Sequence, residues 1–314
     1  MVRWRTSMAA VTTSATPLLP VPDRPATGRR AWALAGGAAA MVMVGGSTAV
    51  SGVLADAPLF TAQAVRYALA CVLLLGFVRV AGRRVVRPRG TEWAWLAGVT
   101  VAGLVVFNIA LVLGAEHAEP AVFGVAVASV PLVLVLLGPL LDGHRPGVSV
   151  WVAAGVVTVG AGLVQGLGES DGVGLLLAVL VLACEAGFTL FAVPVLGRLG
   201  AWSVSVHTTW LAVVAFAVLG VVIEGPGAVW ALTAGDWVAV GYLAVGVTAL
   251  AFVLWYSCVG RVGAGRAGLL TGVAPVAAAA TGVLLGRPLP GPLVWLGIGV
   301  VVAGLVLGLR SARP

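Results

Sequence analysis

Lysine is absent from these 314 residues, and charge of either sign is scarce: 18 arginines and 11 acidic residues amount to 9% of the chain. Ordinary soluble domains carry about 25% charged residues. A soluble fold of this length could not clothe its surface with so few. Histidine and cysteine are also rare, at three each. Cys71, Cys184 and Cys258 are odd in number, fit no metal-ligand spacing and lie in or beside apolar runs, so they read as small apolar fillers. No P-loop, no metal-binding cluster and no catalytic-triad spacing occurs, so no catalytic residue, metal or cofactor is assigned. Gly263-Ala264-Gly265-Arg266-Ala267-Gly268 matches G-x-G-x-x-G, but it follows an apolar run long enough to cross a bilayer rather than a strand. The nucleotide-binding context therefore fails.

What is abundant is apolar sequence: 61% hydrophobic residues, with a mean hydropathy of +1.11. A bilayer removes the need for a charged exterior. A membrane span needs roughly 20 residues, and apolar segments stand at about 31–54, 59–81, 92–113, 119–141, 147–166, 172–196, 202–223, 235–257, 264–286 and 290–309. The expected fold is an all-α integral membrane protein of ten transmembrane helices. Residues 1–30, rich in Thr, Pro and Arg, read as a disordered cytoplasmic tail. Arg29-Arg30, the run after them and Ala55-Asp56-Ala57 resemble a secretory signal with an A-x-A cleavage site. That run is long for a signal, and many spans follow it. The abundance of glycine, 44 residues, suits close helix packing in lipid.

The arginines set an orientation. With the N-terminus inside, 16 of the 18 fall in inner segments; Arg287 falls outside and Arg66 within a span. The outer loops collect Asp56, Glu116, Glu119, Glu169, Asp171, Glu224 and Asp236. This is a strong positive-inside pattern, with both termini expected in the cytoplasm and the chain in the inner (plasma) membrane. A positive net charge of +7 could suggest nucleic acid, but arginines confined to short loops between spans do not form such an interface.

The chain repeats itself. A shift of 144 residues without gaps lays Gly124 on Gly268, Pro131 on Pro275, Gly138 on Gly282, Pro146 on Pro290, Trp151 on Trp295, Gly155 on Gly299 and Gly160 on Gly304. Proline, glycine and tryptophan coincidences of this density are hard to attribute to composition. The halves 31–166 and 172–309 then hold five spans each. An odd number inverts the second half relative to the first, the hallmark of secondary transporters that alternate access to a midplane site.

Several motifs then resemble the drug/metabolite transporter superfamily, specifically its EamA-type ten-span exporters. They are Pro58 with Arg66-Tyr67; the stretch from Asn108 through Ala121, Pro131 and Leu140-Leu141 to Gly155 and Gly162; and its second copy from Trp255-Tyr256 through Gly268, Pro275 and Leu284-Leu285 to Gly299 and Gly304. The resemblance implies two EamA-like repeats and export of small metabolites, amino acids or drugs. The family's Gly-Glu pair after the fourth span of each half is replaced here by Leu141-Asp142-Gly143-His144-Arg145 and Leu285-Gly286-Arg287-Pro288.

Four residues are singled out as substrate-binding or coupling candidates. Glu185 lies near the middle of the sixth span, where a carboxylate costs roughly 2.5–3.5 kcal/mol to insert; it must face a cavity or a partner, and it could exchange a proton. The alternative is a protonated carboxyl bonded to a neighbouring helix. Arg66, about two turns into the second span, cannot discharge by losing its proton; it could hold a carboxylate-bearing substrate, pair with Glu185, or snorkel. Asn108 and Gln63 are lesser candidates. His207 reads as an interfacial hydrogen-bonding group, and Trp255 and Tyr256 as interfacial belt residues. Pro131, Pro194 and Pro275 read as helix breaks or simple kinks. The expected partners are a small-molecule substrate and the lipid bilayer, with proton coupling and a homodimer left open. The competing reading is a membrane-embedded enzyme acting on lipid-linked substrates, for which Glu116-His117-Glu119 and Asp142 with His144 come nearest to a convergent site.

Overall fold

The structure, a computed structural model, describes residues 26–47, 50, 53, 54, 56–142, 147–286 and 288–310. The readings made for residues 1–25, Ala55, Gly143, His144, Arg145, Pro146, Arg287 and Arg313, and for the side chain of Asp142, lie outside them. The described backbone is almost wholly helical. Its one β feature is an isolated antiparallel bridge between Ala118 and Ser170. Hydrocarbon offers no partner for backbone N–H and C=O groups, so a spanning segment must satisfy them internally.

Among the described residues, nine helical segments are long and apolar enough to cross a membrane: α2 Leu59–Val80, α3 Glu92–Gly114, α4 Pro120–Leu141, α5 Val148–Gln165, α6 Gly172–Leu190, α7 Val193–Glu224, α8 Ala234–Val262, α9 Ala264–Leu284 and α10 Pro292–Arg310. With α1, Ala26–Gly46, they number ten. Helix α1 spans 21 residues, about 31 Å at 1.5 Å per residue. It begins a few residues before the span expected at 31–54, so that Arg29 and Arg30 form part of its first turns.

Local chemistry explains several ends. Pro120 occupies the first turn of α4, where its missing N–H would have no partner in any case. Asp171 caps α6 by accepting from the Gly174 amide at 2.7 Å. Thr233 and Asp236 form a reciprocal capping box at the start of α8. The helical assignment of α7 runs through Gly200, whose φ of 71° breaks the spiral and separates a short leading segment from the span proper.

The packing follows the repeat. Exchanging α1–α5 for α6–α10 in order maps α1 against α8 onto α6 against α3, and α1 against α9 onto α6 against α4. It maps α2 against α8 onto α7 against α3, and carries α2·α7, α4·α9 and α5·α10 onto themselves. The α5–α10 seam shows the symmetry atom by atom. A Cβ at Gly160 would sit 2.6 Å from the Val301 nitrogen; one at Gly304 would sit 3.0 Å from the Val157 nitrogen. Val157 and Val301 are themselves 144 residues apart. These glycines let two backbones touch where no hydrophobic effect drives association.

Candidate functional site

Three helices meet in a chain of polar side chains. Arg66 of α2 donates from Nε to Thr248 Oγ1 of α8 at 2.9 Å and from Nη1 to Gln63 Oε1 at 3.3 Å. Gln63 Nε2 donates to Asn108 Oδ1 of α3 at 2.7 Å, and Asn108 Nδ2 donates to the Leu104 carbonyl at 2.6 Å. Arg66, Gln63 and Asn108 are thus brought together, and α8 adds Thr248, fully buried, from the other half. The Arg66 guanidinium also lies 5.2 Å from the centroid of the Tyr67 ring.

The backbone at this level departs from α geometry in both halves. Val101–Val106 in α3 and Leu243–Leu250 in α8 are π-helical. Adding 144 to the first range gives 245–250, so the irregularities occupy equivalent places. Widened turns of this kind are frequent at functional sites; a third, Gly220–Glu224, closes α7. Leu104, the acceptor for Asn108, and Thr248, the acceptor for Arg66, both belong to the paired turns. Sequence reasoning missed them, since π geometry leaves no residue signature here; their only trace is the repeat itself.

Glu185 stands apart. Among the described residues no ion pair joins it to Arg66. Counting from the acidic end of the bundle, Arg66 lies seven residues into α2 and Glu185 thirteen into α6, a difference in depth of about 9 Å at 1.5 Å per residue. The direct pair envisaged from sequence is therefore not made in this conformation. Tyr67 and Tyr256 are both fully buried, and Tyr256 lies within electrostatic reach of both Glu185 and Tyr67. One turn beyond Glu185, Phe188 packs against Phe252 (ring centroids 4.8 Å apart) and Tyr256 (5.1 Å).

Trp255 and Tyr256 are not belt residues. Trp255 is buried and donates to Thr189 Oγ1 at 3.0 Å; Tyr256 donates to the Phe188 carbonyl at 3.2 Å. Their hydrogen-bonding ends are spent on α6 rather than on headgroups, which fixes α8 against the helix that carries Glu185. Trp255-Tyr256 closes a span, where a belt is the usual place for such residues, so their position alone misled.

The α2–α7 pair is held at both ends. At the acidic end, the Glu224 carboxylate accepts from the Phe60 amide (2.8 Å), the Thr61 amide (2.8 Å) and Thr61 Oγ1 (2.7 Å), capping α2 from across the molecule. The sequence placed Glu224 in an outer loop and gave no hint of this partner. At the arginine-rich end, Ser203 Oγ accepts from the Val86 amide at 3.1 Å, and Arg198 is ion-paired with Glu92. His207 Nδ1 accepts from Trp210 Nε1 at 3.1 Å, so Nε2 carries the proton that goes to the Val86 carbonyl at 2.9 Å. The hydrogen-bonding role read for His207 is the one it plays.

Outside the spans, His117 Nδ1 lies 2.9 Å from Asp171 Oδ2. The Gly174 amide and then His117 hold the Asp171 carboxyl below its ordinary range. Glu119 accepts from the Glu169 amide at 3.3 Å. Glu116-His117-Glu119, one of the two places read as nearest to an enzyme site, is thus tied to the 169–171 loop, with Glu119 engaged by the Glu169 amide and His117 by Asp171; the other, Asp142 with His144, has its side chains outside the described residues. Among the described residues no three His, Cys, Asp or Glu side chains converge to hold a metal.

A cavity of about 530 Å³ opens at the opposite, arginine-rich end, between the end of α4, the start of α7 and the α8–α9 turn. It does not include the polar chain around Arg66.

Against known proteins, the model of the EamA-like transporter family matches residues 31–165 and 172–310. A curated relative, described as an uncharacterized transporter YetK of Bacillus subtilis (strain 168), is 27% identical over 289 residues, covering 88% of this chain and 87% of its own length. A solved crystal structure superposes with a TM-score of 0.76 at 19% identity, over 90% of this chain and 99% of its own, and so shares the fold.

Proposed function

From the premise that the chain belongs to the EamA-like transporter family, we propose that it is a secondary transporter exporting small metabolites, amino acids or drugs across the plasma membrane. The observation that carries this reading is the polar chain Thr248–Arg66–Gln63–Asn108. It joins both halves, beside two symmetry-related π turns. A charged and hydrogen-bonding group inside a span is costly and marks a pathway. Arg66, Gln63 and Asn108 are the substrate-contacting set: the guanidinium fork presents donors to a carboxylate, and the two amides present both donors and acceptors. Arg66 is held here by neutral partners, which a carboxylate displaces without breaking a salt bridge.

Glu185 is the proton-responsive group. Tyr256 is within electrostatic reach of Glu185 and of Tyr67, whose ring meets the Arg66 guanidinium, so the carboxyl's charge biases the polar chain without contact. A proton can drive the cycle only if the inward and outward conformations hold that carboxyl differently. The inverted halves supply two such environments, because what α1–α5 present to one side, α6–α10 present to the other. Both termini face the cytoplasm in this reading, and the arginine-rich end is the cytoplasmic one.

The test is efflux from cells loaded with a panel of amino acids and cationic dyes, measured from pH 5.5 to 8. Glu185→Gln keeps the side chain's shape and removes its titration. It should flatten the pH dependence while leaving membrane insertion unchanged. Arg66→Lys should weaken substrate affinity, because the planar fork is lost. An unchanged pH profile in Glu185→Gln would make the carboxyl structural.

A further inference from the structure

The α8–α9 turn places two arginines on one cavity. Arg261 ends α8 and Arg266 begins α9, and both line the 530 Å³ space. Gly263 between them has φ 84° and ψ 158°, a conformation open to glycine and strained for any L side chain. That sharp reversal is what brings side chains five residues apart to the same opening. Facing them are Pro139 of α4 and Pro194 and Gly197 of α7, none of which offers a side-chain acceptor. No carboxylate whose side chain is described lines the space.

The two guanidiniums carry five N–H donors each, and neither makes a hydrogen bond or ion pair with a described residue. Arg198, at the same end of the bundle, shows the contrast: it is paired with Glu92 and also donates to the Arg87 carbonyl at 3.1 Å. Arg66 is likewise satisfied. Arg266 is only half-exposed. Like charges gathered at a partly enclosed opening repel one another. An anion relieves that repulsion, and the cavity volume lies within the range of small-molecule pockets, about 300–1,000 Å³.

We infer that this cavity binds an anionic oxygen group, a phosphate or carboxylate, through Arg261 and Arg266. The site is distinct from the polar chain at Arg66 and stands whichever direction transport runs. Guanidinium forks match such oxyanions bidentately. The same chemistry is offered by a soluble anion and by the headgroup of an anionic lipid.

Titration calorimetry on the full chain in a neutral detergent separates the two sources. Inorganic phosphate is one probe; short-chain phosphatidylglycerol below its micelle concentration is the other, with short-chain phosphatidylcholine as blank. Wild type should bind at least one of the two anionic probes saturably. Arg266→Gln should weaken that binding at least tenfold, and Arg261→Gln with Arg266→Gln should abolish it. Arg310→Gln, at the same end but outside the cavity, should bind as wild type does. Arg266→Lys, which keeps the charge and loses the fork, should fall between wild type and Arg266→Gln and guards against a folding defect. Phosphate binding alone identifies a soluble anion as ligand, and phosphatidylglycerol binding alone a lipid headgroup; either supports the site. Failure of both probes, or equal weakening by Arg310→Gln, overturns it.

Discussion

Adding one methyl group to each of four glycines puts the inverted repeat to an energetic test. At Gly160 a Cβ would meet the Val301 nitrogen at 2.6 Å and the Gly297 oxygen at 2.9 Å. At Gly304 it would meet Val157 Cγ2 at 2.8 Å and the Val157 nitrogen at 3.0 Å. Real Cβ atoms essentially never come under 3.0 Å of a neighbour, so at Gly160 the backbones of α5 and α10 must separate, and at Gly304 the Val157 side chain and backbone must give way. Overpacking of this kind costs about 1–3 kcal/mol. At Gly155 and Gly299, the other pair related by 144 residues, nothing lies within 4 Å. There the methyl clashes with nothing, and alanine's better helix propensity should stabilise by up to about 1 kcal/mol. Gly160→Ala and Gly304→Ala should therefore lose stability by similar amounts, while Gly155→Ala and Gly299→Ala hold or gain. The assay is thermal unfolding in detergent followed by tryptophan fluorescence. The double variant Gly160→Ala with Gly304→Ala should cost less than the two singles added, since both strain one seam and coupled sites are not additive. If Gly160→Ala melts with Gly155→Ala, or if Gly160 and Gly304 differ as much as Gly160 and Gly155, the symmetric seam is refuted.

Glu224→Ala removes the acceptor for two amides and a hydroxyl at the start of α2; loss of a cap and its favourable dipole contact should cost about 1–3 kcal/mol, read as a lower melting temperature that Glu224→Gln partly restores. Asp171, held below its ordinary carboxyl range by Gly174 and His117, contributes stability that is complete above that range and disappears as pH falls through the lowered value. The difference in melting temperature between wild type and Asp171→Asn should thus be constant above about pH 5 and shrink below about pH 4; a difference that grows on acidification would contradict the sign. Reporter fusions after residues 117, 169 and 230 should all report the outer side, and a cytoplasmic signal at 169 would break the two-half arrangement.

The fold was legible because its constraint is blunt. Apolar runs of span length, arginines confined to alternate loops and an ungapped repeat left little freedom, and most helices follow the expected segments closely; the larger misses are α1, which closes at Gly46 rather than near 54, and the α6–α7 junction, which falls at 190–193 rather than 196–202. The site was half legible. Arg66, Gln63 and Asn108 announced themselves as polar groups in apolar runs, and the structure joins them. Their fourth partner, Thr248, is an ordinary threonine whose role depends on a π turn that no residue type encodes. The imagined Arg66–Glu185 pair failed on depth along the bundle, which sequence position gives only once helix starts are known. Glu224 looked like a loop residue because its partners, the amides of residues 60 and 61, lie more than 160 positions away. Backbone donors carry no sequence mark, so a cap supplied across the molecule cannot be read from local pattern.

Transport itself is the central claim, and purified protein in proteoliposomes tests it most directly. The measurement is movement of labelled amino acids and cationic dyes with and without an imposed pH gradient, against empty liposomes. The account predicts that at least one substrate accumulates against its concentration gradient when the pH gradient is present, and that a protonophore or Glu185→Gln abolishes the accumulation. Substrate movement that only equilibrates, indifferent to the pH gradient in wild type and Glu185→Gln alike, would contradict it.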